Sequence, residues 1–178
     1  MRTKKIMNKI LKPYRIILKE IFGNYTDVRV SLGKSFCCYC RDMEDLEIEV
    51  PFIEDKMGAL AFFEKMNRKL KQYNITEKYN SEILSFLHEI GHIMTYNKFN
   101  DFIYCRIAPL IPKIQAKFFT NSLTMTKLCY KIYFGLALER KADKWAMTYI
   151  KEHQTQVKQW EKMLIKNYQK AFEKIEED

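Results

Sequence analysis

Ser81-Glu82-Ile83-Leu84-Ser85-Phe86-Leu87-His88-Glu89-Ile90-Gly91-His92-Ile93-Met94 is the stretch on which the reading of this chain turns. Ile83, Leu84, Phe86, Leu87, Ile90, Ile93 and Met94 recur at helical spacing, so a largely buried helix is predicted over residues 81–96, capped by Asn80 or Ser81. Residues four apart on a helix differ by about 40° around its axis, so the imidazoles of His88 and His92 project side by side and can share one metal ion. Glu89 is one step round from His88. There it flanks the ion without binding it, where a general base must stand to take a proton from polarised water. Gly91 costs about 1 kcal/mol of helix propensity relative to alanine. Its presence between the histidines predicts the close approach of another backbone.

Two imidazoles leave a catalytic zinc site incomplete, because such a site takes three protein ligands and keeps the fourth position for water. Residues 128–150 read as a second helix, on which Glu139 and Asp143 lie four apart and share a face with Gly135, Ala142 and Ala146. Those small residues permit close helix packing. We assign Glu139 to the metal and Asp143 to the remaining N–H of an imidazole, that of His88, where it fixes the tautomer. The competing reading makes His88 and His92 ordinary helix residues and pairs Glu139 and Asp143 at the surface with Lys131, Lys141 or Lys144.

His88-Glu89-Ile90-Gly91-His92, taken with Glu139-Arg140-Lys141-Ala142-Asp143-Lys144-Trp145-Ala146, resembles the gluzincin metallopeptidases, among them the small ImmA/IrrE-like and minigluzincin-type proteins. The resemblance covers residues 80–150. It implies a zincin-like fold, a Zn2+ cofactor held by His88, His92 and Glu139, and Glu89 as the catalytic base. The implied reaction is peptide-bond hydrolysis in a protein or peptide substrate, with a transcriptional regulator one such substrate by analogy. Glu89 would take a proton from the attacking water and return it to the leaving amine. The alternative of another class is a zinc-binding but noncatalytic protein-interaction or DNA-associated module of the same fold. For the downstream residue with which gluzincins stabilise the oxyanion, the candidates are Tyr96, Tyr104 and Tyr133; His153 reads as a surface residue.

The rest of the chain frames this centre. At 178 residues and 47% hydrophobic it is long and apolar enough for one core, which excludes a disordered chain and predicts a single domain over residues 1–178. A basic amphipathic helix comes first, with Ile6, Ile10, Tyr14, Ile17, Leu18 and Ile21 on one side; Pro13 kinks or starts it and Gly23 ends it. Three strands, 28–32, 35–41 and 46–52, are expected in an antiparallel meander, with 46–52 as the exposed edge that would hold a peptide beside the metal. A helix over 57–73, a connector over 97–117 forming a rim, and a last helix carrying Val157, Trp160, Leu164, Tyr168, Phe172 and Ile175 complete the order. The expected class is therefore α+β, mostly helical, with a small antiparallel-rich sheet on the histidine helix.

Five cysteines without paired CxxC spacing, and no signal peptide or transmembrane run, point to a cytoplasmic protein. Cys37, Cys38 and Cys40 read as small core residues. The net charge of +9 is spread over every helix, so nucleic acid is not the expected partner.

Overall fold

The computed structural model describes residues 2–23, 28–33, 37–40, 46–51, 56–95, 132 and 135–176. Along the chain these form α1 (Arg2–Phe22), β1 (Arg29–Gly33), β2 (Cys37–Cys40), β3 (Leu46–Pro51), α2 (Lys56–Gln72), α3 (Ser81–Met94), α4 (Ala137–Glu152) and α5 (Gln154–Glu176). The arrangement is α+β and mostly helical. No helix among the described residues is long and apolar enough to cross a membrane.

α3 is the central element, buried from Ile83 to Gly91 and in contact with α2, α4, α5 and the sheet. Ile83, Leu84, Phe86, Leu87 and Ile90 are fully buried. At roughly 1.5–3 kcal/mol each, their burial far outweighs the helix propensity lost at Gly91. Of the two expected caps Asn80 is the one used: its Oδ1 accepts the Ile83 N–H at 2.9 Å. The Asn80 N–H in turn donates to Glu161 of α5 at 2.5 Å, tying the start of α3 to the last helix. At the other end Thr95 donates its hydroxyl to the Gly91 carbonyl at 2.7 Å, and the helix stops at Met94, short of the predicted 96.

The backbone that Gly91 anticipates is that of α4. A Cβ at Gly91 would stand 2.5 Å from the Ala142 carbonyl oxygen and 2.9 Å from the Ala142 Cα, so the two helices cross main chain against main chain. Ala142 and Ala146 are fully buried at this seam. Gly135, which spacing placed beside them, is instead exposed, and a Cβ there would meet none of the described residues. Gly91→Ala is therefore expected to destabilise despite the better helix former, because rigid backbone must yield and such overpacking costs about 1–3 kcal/mol. The check is thermal unfolding. A midpoint lowered by several degrees is expected, and an unchanged or raised one would show that the helices part freely.

α1 buries Ile10, Leu11, Tyr14, Ile17 and Leu18 and exposes Lys12, Arg15 and Lys19, as its amphipathic pattern requires. Gly23 closes it with φ +70° and an N–H to the Lys19 carbonyl. Pro13 lies inside one continuous helix and does not start it. A proline has no N–H for the carbonyl four residues back, here that of Lys9, and Asn167 of α5 donates to that carbonyl at 2.9 Å. The defect in α1 thereby becomes a tie to α5. The last helix buries Val157, Trp160 and Leu164 in the common core.

The sheet departs from the expected meander. Its order is β1-β3-β2, with β3 parallel to β1 and antiparallel to β2. The sheet is therefore mixed, not antiparallel-rich. The strand with the cleanest alternation, in which Ile48 and Val50 are fully buried, takes the central place. Residues 33 to 37 span four Cα steps, up to about 15 Å, enough to step over one strand at about 4.8 Å spacing per pairing. As β3 is paired on both sides, it is not the free edge that its alternation suggested. β2 and β3 lie against α3, and β1 against α1. The connector 97–117, with Tyr96, Tyr104, Cys105, Cys129 and Tyr133, lies outside the described residues, as do the side chains of Cys37, Cys38, Cys40, Tyr168, Phe172 and Ile175.

Candidate metal centre

The crossing of α3 and α4 at Gly91 and Ala142 brings the four expected side chains together. His88 Nε2 and His92 Nε2 stand 3.1 Å apart. Glu139 closes the triangle, with Oε2 at 3.1 Å from His88 Nε2 and Oε1 at 3.3 Å from His92 Nε2. Zinc bonded to nitrogen and oxygen at about 2.0–2.2 Å in a tetrahedron sets its ligand atoms about 3.3–3.5 Å apart. Each nearest pair, His88 with His92 and each imidazole with one Glu139 oxygen, is near that separation, and one ligand atom from each of the three residues lies within 4.8 Å of the others. Asp143 meets the other nitrogen of His88, Oδ1 to Nδ1 at 2.9 Å. A carboxylate at that distance favours a proton on Nδ1, which would leave Nε2, facing His92 and Glu139, as the atom to bind a metal ion. Converging lone pairs on two nitrogens and a carboxylate repel one another unless a cation, either a proton or a metal ion, lies among them. His88, His92 and Glu139 can hold a metal ion, and His88 and Glu139 are buried.

The electrostatics agree with this reading. Burial alone would lower the pKa of His88, but hydrogen bonds to Asp143 and Glu139 override it and push it up to about 9. Burial would raise Glu139, yet the imidazoles of His88 and His92 hold it well below the usual carboxylate range. Asp143 is also lowered: its burial is outweighed by His88 and Lys65. A pocket that draws a proton so strongly would draw a divalent cation by the same charges. Glu89, buried on α3, moves the other way. Desolvation raises its pKa, only partly offset by His92 and His88.

The surface-ion-pair alternative fails on burial. Glu139 is 2% and Asp143 0% exposed. Their lysine partners come from α2, and the sequence did not single them out. Lys65 Nζ is 2.9 Å from Asp143 Oδ1 and 3.8 Å from Glu139 Oε2, and Lys69 Nζ is 3.3 Å from Asp143 Oδ2. Phe62, a turn before Lys65, sets its ring edge-on to His88 at 5.1 Å. Their only sequence signal was position: Lys65 and Lys69 flank the core residues Met66 and Leu70 of α2. His153 is exposed at the end of α4, with Nδ1 3.0 Å from the Tyr149 carbonyl, the surface position expected of it.

No protein-family model matches the chain, and no curated protein or solved structure shows significant similarity to it.

Proposed function

We propose that this chain is a zinc-dependent metallopeptidase of the gluzincin type with a zincin-like fold, cleaving peptide bonds in a protein substrate in the cytoplasm. One observation carries the reading: two imidazoles and a carboxylate from two helices face one another within metal-ligand reach in a largely buried cluster, with a second carboxylate, Asp143, on the back of one imidazole. Buried ionisable groups cost several kcal/mol apiece. Their concentration here, with shifted proton affinities, favours function over stability as their purpose. Zinc held there would supply a Lewis acid for the scissile carbonyl and make the attacking water more acidic.

The protein's own part is to hold and move a proton. Glu89 adjoins the cluster without joining it, and its raised affinity for a proton suits it to take one from water and deliver it to the departing amine. Because β3 is central, the outer edge of β2, on the side of the sheet that lies against α3, is, among the described residues, the edge that suits strand-like capture of a substrate beside the metal. The reading is tested with purified protein stripped by a chelator. Cleavage of unstructured peptides should vanish on stripping and return with one equivalent of zinc. Stoichiometric zinc without cleavage of any peptide offered would favour a noncatalytic binding module.

A further inference from the structure

Lys65 is 7% exposed, an unusual position for an ammonium group, and it stands where α2 meets the two carboxylates of α4. It is held on three sides. Its Nζ is 2.9 Å from Asp143 Oδ1, the same oxygen that faces His88 Nδ1, and 3.8 Å from Glu139 Oε2. It also sits 5.0 Å over the ring of Phe62, whose edge rests on His88. Glu139 has one oxygen toward each imidazole, Oε1 toward His92 and Oε2 toward His88. A carboxylate so placed can turn both oxygens onto an ion, which would fill the position that water requires. An ammonium drawing on Oε2 opposes that. We propose that Lys65 is a positioning residue of the metal centre: shared between Asp143 and Glu139, it keeps Glu139 ligating through one oxygen and Asp143 seated on His88.

A second effect of the same charge has the opposite sign. By repulsion alone, a cation beside a ligand oxygen weakens the hold on a divalent ion, so its removal should tighten binding. As a positioning group, its removal should loosen binding. A group seated behind a metal ligand, as Asp143 is behind His88, is worth about 10–100-fold in affinity, and the ion pair with Lys65 at 2.9 Å is what holds Asp143 in that seat.

The test compares wild type, Lys65→Met and Lys65→Arg, with cobalt(II) as the spectroscopic probe and a chromophoric chelator competing for zinc. Lys65→Met is expected to lose about 10–100-fold in zinc affinity. Its cobalt visible bands should weaken, as four-coordinate cobalt takes an additional oxygen. Lys65→Arg should recover most of both. Should Lys65→Met fold poorly, Lys65→Gln, a neutral hydrogen-bond donor, carries the same comparison. Unchanged or tighter zinc binding with an unchanged cobalt spectrum would overturn the proposal. The inference rests on the metal reading above, yet the two fail differently. A wild-type protein that binds neither zinc nor cobalt overturns both, whereas normal wild-type binding shared by Lys65→Met overturns only the role of Lys65.

Discussion

Glu139→Ala is expected to abolish stable zinc binding while leaving the fold in place. Glu139 is the one carboxylate among the three donors, and its loss leaves only two imidazoles four residues apart on one helix. The affinity lost should exceed the about 10–100-fold that follows removal of a hydrogen bond behind a ligand, because here a bond to the ion itself goes. Stability in the metal-free state should fall less. Breaking a buried ion pair costs about 3–5 kcal/mol when a partner is left alone, but Lys65 keeps Asp143 at 2.9 Å and so retains its closest counter-charge. The measurement is the thermal shift on adding zinc. At a hundredfold excess over the dissociation constant, a ligand stabilises the folded state by about 2.7 kcal/mol. For a chain of this size that raises the midpoint by roughly 5–10 °C. Wild type should show that shift and Glu139→Ala almost none. A variant with wild-type zinc content and shift would remove Glu139 from the metal and with it the gluzincin reading of the site.

The parts readable from sequence were those fixed by short-range geometry. The four-residue spacings of His88 with His92 and of Glu139 with Asp143 made pairs on helices, and Gly91 announced a backbone neighbour that proved to be Ala142. Asp143 stands against His88, as assigned, although the spacing alone left His92 an equal candidate. Pairing between strands was not readable. Three runs with hairpin-like spacing fit a meander as well as they fit β1-β3-β2, and nothing local reveals that a third strand will insert between the first two. Lys65 and Lys69 were invisible for a different reason: a lysine beside a core stripe is ordinarily a solvated one. Only the arrival of α4 against α2 turns these two inward onto Asp143. Pro13 shows the same limit. Its local chemistry predicted a kink or a helix start, and a side chain far along the sequence, Asn167, supplies a donor to the Lys9 carbonyl that proline cannot.

Glu89→Gln separates binding from turnover more sharply than any other substitution here. Glutamine matches the shape of glutamate and keeps an acceptor oxygen, but it cannot take a proton at neutral pH. Glu89 is buried on α3 yet is not one of the three converging donors, so the variant should hold zinc as wild type does. Its loss should fall almost wholly on kcat, by about 10²–10⁴-fold, the range that positioned acid–base groups contribute. Burial raises the proton affinity of this carboxylate, an effect that His92 and His88 only partly offset; the uncharged amide is therefore accommodated at little cost, and the melting temperature should hold or rise. The same variant, expressed in its native cell, should retain the substrate it can no longer cut, giving the target's identity. Cleavage at the wild-type rate would exclude Glu89 as the base. Loss of cleavage together with loss of zinc would instead place Glu89 among the groups that build the site, and the division of labour between it and Glu139 would have to be redrawn.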